Sequence, residues 1–153
     1  MKLSKADLTR TITEKKFEVK TTDLYHQRIK FNDKFVTCIH SSLSTDFGYQ
    51  VSGTYSARVE YDCDRCATPF EKEVKDSLKF WCVTKITKVI STDIEVFYMR
   101  NNNDILDISS FLSDLISLNR PIKILCIKNC KGICICCGIN LNNEICSKNK
   151  IKS

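Results

Sequence analysis

Ten cysteines stand in a chain of 153 residues, and five of them, Cys126, Cys130, Cys134, Cys136 and Cys137, fall within a single stretch of twelve. Two Cys-x-x-Cys pairs can be read, Cys63-Asp64-Arg65-Cys66 and Cys134-Ile135-Cys136-Cys137. A Cys-x-x-Cys turn brings two sulfurs to one point, and a soft divalent ion such as zinc takes about four such ligands in a tetrahedron. Two pairs supply the four. The set Cys63, Cys66, Cys134 and Cys137 is therefore the first expectation for a structural zinc site, with Cys126, Cys130 and Cys146 as possible further ligands. Gly138 follows the second pair and can take the positive φ that lets backbone amides turn toward thiolates, whereas Ala67 follows the first and makes it the weaker match.

Other groupings use the same residues. Cys126, Cys130, Cys134 and Cys137 could form a wholly local site, leaving the first pair to recruit Cys146. Cys126, Cys130 and Cys134 also have the spacing of a buried helical stripe, against which Gly132 and the polar neighbours Asn129 and Lys131 argue. An iron–sulfur cluster uses similar spacing, but the Cys-Gly knuckle favours zinc. Cys38 and Cys82 lie within strand patterns and read as core. His26 and His40 are isolated and read as surface or satisfied histidines.

Catalysis finds little support. No Gly-rich phosphate loop or triad context appears, and neither Cys-x-x-Cys has the strand-to-helix setting of a thioredoxin-like oxidoreductase. The expectation is a protein that is not an enzyme and has no small-molecule substrate. Met1-Lys2-Leu3-Ser4 opens into polar sequence without the apolar region of a signal peptide, and no apolar run approaches the ~20 residues that span a bilayer. The expected setting is soluble and reducing, where metal ligation explains the cysteines better than disulfides.

Charge is unevenly placed. From Arg120 onward seven basic residues face Glu144 alone, which accounts for the whole formal net charge of +6. A basic end on a neutral body points to an anionic partner, nucleic acid before membrane. Lys128, Lys131, Lys148, Lys150 and Lys152 are the RNA-binding candidates.

The elements that would position these groups follow from periodicity. Phe35–Ile39 reads as a strand and Ser44–Asp46 as a turn. Val51, Gly53, Tyr55, Ala57, Val59 and Tyr61 alternate with polar residues, and Phe70, Val74, Leu78, Phe80 and Cys82 repeat the pattern, so the first cysteine pair sits at the tip joining two long antiparallel strands. Asp93–Tyr98 is a further strand and Arg100–Asn103 a loop. Ile108, Phe111, Leu112, Leu115 and Ile116 have helical spacing, with Asp107 as N-cap and Pro121 as terminator. The predicted fold is α+β: an antiparallel β-sheet with a Cys-x-x-Cys hairpin tip, one amphipathic helix and a cysteine-rich, zinc-ribbon-like C-terminal segment. Its expected divisions are an N-terminal segment 1–34, a core 35–121, a metal-binding segment 122–147 docked on that core, and a basic tail 148–153.

From about Gly53 to Cys146 the chain resembles the YceD family of large ribosomal RNA subunit accumulation proteins of bacteria and plastids. Four blocks carry the resemblance in family order: Gly53 within a strand; Cys63-Asp64-Arg65-Cys66-Ala67-Thr68-Pro69-Phe70; Asp104-Ile105-Leu106-Asp107 leading into the helix; and Cys126 to Cys137 with Gly138, Asn140-Leu141-Asn142 and Cys146. Ile135 stands where the family commonly has proline, Cys136 is an extra thiol, and Cys146 is alone where many relatives end in Cys-x-Cys. The resemblance implies a non-enzymatic ribosome biogenesis factor supporting synthesis, processing or stability of large-subunit (23S) rRNA. Its implied partner is a large-subunit rRNA precursor or a ribosomal protein, in the bacterial cytoplasm or the plastid stroma. The alternative is a zinc-ribbon protein-interaction or transcription-linked module with no ribosomal role.

Overall fold

The computed structural model describes residues 2–9, 14–24, 29–84, 94–99, 101 and 104–147. Two long strands form its spine: β5 (Gly48–Asp62) and β6 (Pro69–Val83), paired antiparallel from Gly48↔Val83 to Asp62↔Pro69. Their alternation is the physical reason they form. Val51, Tyr55, Ala57, Val59 and Tyr61 of β5 and Val74, Leu78, Phe80 and Cys82 of β6 are buried on one face, while polar residues between them face outward.

Before the spine come β1 (Lys2–Ser4), a short helix α1 (Lys5–Thr9), β2 (Lys15–Lys20), β3 (Lys30–Phe31) and β4 (Phe35–Thr45). After it come β7 (Glu95–Tyr98), β8 (Ile105–Asp107) and helix α2 (Ser109–Leu118). The main sheet has six strands in the order β2-β4-β5-β6-β7, with β3 pairing β5 at Val59 and Glu60 beyond the reach of β4. A separate two-stranded ribbon joins β1 to β8.

Two expectations change here. The sheet is mixed, because β7 runs parallel to β6 with Phe80 opposite Glu95. Strand periodicity reports which residues face inward but not the direction of the next strand, which the intervening connection decides. Within the segment 1–34, β2 lies along β4, with Phe17 opposite Cys38, and closes one edge of the sheet. The turn between β4 and β5 lies at Asp46 and Phe47, with Ser44 and Thr45 still paired. Asp93, Arg100, Asn102 and Asn103 lie outside the described residues.

Helix α2 covers the apolar face of the sheet. Ile108, Leu112 and Ile116 are buried, and Phe111 meets Phe80 and Phe97 edge-on at centroid distances of 5.9 and 5.6 Å. Asp107 Oδ1 accepts the Ser109 N–H at 2.9 Å, so the expected cap bond forms one residue ahead of the helix boundary. At the other end Tyr55 donates its hydroxyl to the Leu115 carbonyl at 3.2 Å, and Asn119 Nδ2 donates to Tyr55 Oη and, at 2.7 Å, to Asp76 Oδ2. These bonds fix where α2 stops. From that point the chain turns back over the far end of the β5–β6 hairpin, where the cysteines are. Among the described residues no helix is long and apolar enough to cross a membrane.

Candidate metal centres at the hairpin tip

The tip of the β5–β6 hairpin is a tight knuckle. Cys63 donates its backbone N–H to the Thr68 carbonyl at 3.0 Å, and Ala67 donates back to the Cys63 carbonyl at 2.8 Å. The turn needs a left-handed residue after its second cysteine, and Ala67 supplies it at φ 54°. The C-terminal knuckle has the same construction: Cys134 N–H to the Ile139 carbonyl at 2.8 Å, Gly138 N–H to the Cys134 carbonyl at 2.8 Å, and Gly138 at φ 76°. The pair that looked weaker in sequence therefore folds like the stronger one, with alanine bearing a strain that glycine avoids.

A strap of chain docks on the first knuckle. Ile133 donates its N–H to the Arg65 carbonyl at 3.1 Å, and the Arg65 guanidinium donates to the Cys130 carbonyl at 2.7 Å. Arg65 thus holds backbone to backbone. Gly132, at φ 80°, passes so close that a Cβ there would lie 3.1 Å from the Arg65 carbonyl oxygen.

Docking places Cys126 and Cys130 over Cys63 and Cys66. The four Sγ atoms lie within 4.8 Å of one another, with Cys63 to Cys130 at 3.7 Å and Cys66 to Cys126 at 3.6 Å. A tetrahedral zinc with Zn–S bonds of about 2.3 Å separates its sulfurs by about 3.8 Å, so the donors fit the ion in number, type and spacing. Cys134, Cys137 and Cys146 form a second group within the same mutual distance, Cys137 to Cys146 being 3.5 Å. Either cluster could hold a metal ion. None of the ten cysteines is in a disulfide.

All seven cysteines singled out in sequence are thus gathered, but not in the expected sets. The hairpin pair does not meet Cys134 and Cys137. The strap bonds made by Arg65 bring the earlier cysteines of the segment onto the tip and leave the second knuckle to close on Cys146. Cys136, exposed, belongs to neither group.

The local electrostatics suit thiolates. Burial raises the Cys63 thiol, but the backbone N–H groups of Cys126, Cys66 and Arg65 aimed at its sulfur outweigh that and bring it down to about 6. Thr68 Oγ1, 3.3 Å from Cys66 Sγ, together with the Thr68 N–H holds Cys66 below its ordinary value. Cys126 is pushed up to about 12 by burial and then by its three sulfur neighbours. Four thiolates cannot share one point without a cation. In the second knuckle the N–H groups of Cys136 and Cys137 bring Cys134 down to about 7. Cys38 and Cys82 are buried in the sheet, which pushes both to about 11 and confirms them as core.

Two asparagines escaped the sequence reading. Asn142 Nδ2 donates to Cys130 Sγ at 3.2 Å while its Oδ1 accepts the Lys131 N–H at 2.8 Å, and Asn140 Nδ2 donates to Thr68 Oγ1 at 3.0 Å. They tie the second knuckle to the first cluster from outside. The signal was their place in the block Asn140-Leu141-Asn142. Lys128 and Lys131 are exposed beside the first cluster, whereas Lys148, Lys150 and Lys152 lie outside the described residues, as does His26. His40 is not a satisfied histidine: it is buried, with neither ring nitrogen hydrogen bonded among the described residues.

Comparison with known proteins places this geometry in context. A family model described as "Large ribosomal RNA subunit accumulation protein YceD" matches residues 51–153, a span that contains both clusters and the strap. Uncharacterized proteins of Mycobacterium bovis and of two Mycobacterium tuberculosis strains are 27% identical over 101 residues, 66% of this chain and 49% of each relative. The chain thus spans about half the length of these curated relatives. No solved structure matches.

Proposed function

The chain belongs to the YceD family of large ribosomal RNA subunit accumulation proteins, and from that premise we propose that it is a non-catalytic ribosome biogenesis factor, acting on synthesis, processing or stability of the large-subunit rRNA precursor. The observation that carries the reading is the family match across residues 51–153, which takes in the hairpin tip, the strap and every cysteine of the two clusters. Its setting in this reading is the bacterial cytoplasm or the plastid stroma.

Cys63, Cys66, Cys126 and Cys130 are the ligands of a structural zinc in this reading. Bound there, zinc would supply a crosslink between the hairpin tip and the strap, closing a loop of more than 60 residues between Cys63 and Cys126. The protein's own part is to pre-place the sulfurs. Arg65, Asn140 and Asn142 hold the two chain segments in register, and backbone N–H groups favour the thiolate of Cys63.

RNA contact falls to the basic C-terminal part. Lys128 and Lys131 are held on the strap, and the lysines of 148–153 add charge beyond it. Phosphates rather than bases are the target, since flexible ammonium groups act as point charges.

Depletion of the protein in its own host tests the reading. Large-subunit rRNA should fall relative to small-subunit rRNA, and the protein should co-sediment with large-subunit precursors. An unchanged subunit ratio under strong depletion overturns it and leaves a zinc-dependent protein-interaction module.

A further inference from the structure

Cys134, Cys137 and Cys146 are held together by means independent of the first cluster. The knuckle bonds of Cys134 to Ile139 and of Gly138 to Cys134 fix two of the sulfurs, and the turn in which Asn143 and Glu144 donate to the Asn140 carbonyl at 3.1 and 3.0 Å brings Cys146 back to 3.5 Å from Cys137. Three soft donors within 4.8 Å of one another fit one thiophilic cation.

The two clusters differ in completeness. Cys63, Cys66 and Cys130 are buried and Cys126 half-buried, four donors for a four-coordinate ion. In the second, Cys134 and Cys146 are buried, Cys137 is exposed, and among the described residues no fourth donor joins them. Three protein ligands and an exposed side are the features of a site with an open position.

We propose that Cys134, Cys137 and Cys146 form a second metal site for zinc or another thiophilic cation, three thiolates with an exogenous fourth ligand, and that this ion exchanges while the one at the hairpin tip stays. The exposed Cys136 stands beside the site without being a ligand. The inference rests on the geometry of the second cluster and stands apart from the ribosomal reading. Subunit ratios would test that reading and leave this one untouched.

The experiment uses the full chain, reduced and reconstituted with zinc. Metal analysis should find two ions per chain, one for each cluster, and a chromogenic chelator should withdraw one quickly and the other slowly. Cys137→Ser, at an exposed position, should abolish the fast fraction and keep the slow one and the fold. A single ion per chain in the wild type, or two ions that leave at one rate, overturns the proposal. The open position is read separately by loading cobalt(II) and adding imidazole. The absorption of the exchangeable cobalt should shift in the wild type and equally in Cys136→Ser. No shift with imidazole, or loss of the second ion in Cys136→Ser, shows that the chain itself supplies the fourth ligand and overturns the exogenous one.

Discussion

Asp64 and Ile124 bond to each other twice: the Asp64 N–H donates to the Ile124 carbonyl at 2.8 Å, and the Asp64 carboxylate accepts the Ile124 N–H at 2.6 Å. Ile124 is buried, and the contact sets the strap's entry two residues before Cys126. A carboxylate on a backbone N–H is a charge-assisted bond. Asp64→Ala should therefore destabilise the protein by about 1–3 kcal/mol, with residues 122–147 the first to be cut by protease. Asp64→Asn, which keeps a carbonyl acceptor, should lose less. Equal losses in denaturant unfolding would show that a neutral acceptor at this position contributes nothing and that the charge carries the whole contact.

Metal removal should weaken the fold through the first cluster. Four thiolates that crosslink two segments turn binding energy into folding energy, so chelation should cost several kcal/mol, a fall in Tm of about 10 °C or more for a chain this size. Cys130→Ser should reproduce that fall and leave only the chelator response of the second cluster. Cys136→Ser should leave Tm within about 1 °C, as an exposed surface change does.

The two knuckles offer a matched pair of substitutions. Gly138→Ala meets no atom within 4 Å, so its cost is the left-handed backbone alone, about 1–2 kcal/mol. Ala67→Gly relieves the same strain at φ 54°. Because glycine also loses more entropy on folding, the net gain should be at most about 1 kcal/mol. Thermal unfolding of both variants with metal bound checks the opposite signs.

His40 gives the stability a pH dependence whose sign follows from its burial. Burial, and then the Lys15 ammonium, lower its pKa below 6.5 in the fold. The unfolded chain therefore binds the proton more readily, and stability falls as pH drops below 6.5. His40→Leu removes two unpartnered buried nitrogens and should raise stability at pH 7 by about 1–2 kcal/mol. It should also flatten the difference between pH 7 and pH 5 relative to wild type. An unchanged slope in paired denaturant titrations would place the acid sensitivity elsewhere.

Legibility in the sequence followed the kind of force involved. The alternation in β5 and the helical stripe of α2 were readable because burial acts residue by residue along one element, as at Tyr55 and Leu112. In β2 Phe17 and Val19 are the only apolar residues, set among Lys15, Lys16, Glu18 and Lys20, too short a signal to show that this strand closes one edge of the sheet. The cysteines were recognisable as donors by type and spacing, but their partition was not. It depends on Arg65 reaching Cys130 and on Asp64 reaching Ile124, contacts across 65 and 60 residues of sequence that no local pattern encodes. Ala67 carries the same lesson in reverse. Its residue type argued against the first knuckle, and the bonds that close the Cys63–Thr68 turn hold it in the left-handed conformation regardless.

If the basic C-terminal part meets RNA through phosphates, affinity should fall with salt in proportion to the charges engaged. Three or four of the five candidate lysines would give a log–log slope of roughly −2 to −3 for single strands. A cation held by four thiolates leaves two negative charges beside Lys128 and Lys131, which weakens their pull but also fixes where they stand. Replacing both by glutamine should reduce the slope by about 1.4 and lower affinity with no change in Tm, because both side chains are exposed. Glutamine at Lys148, Lys150 and Lys152 together should reduce it by up to about 2. Fluorescence anisotropy over a salt series separates the two groups. Binding that ignores salt, or an absence of binding, would return the positive charge to a solvated surface and make a ribosomal protein the better partner to seek.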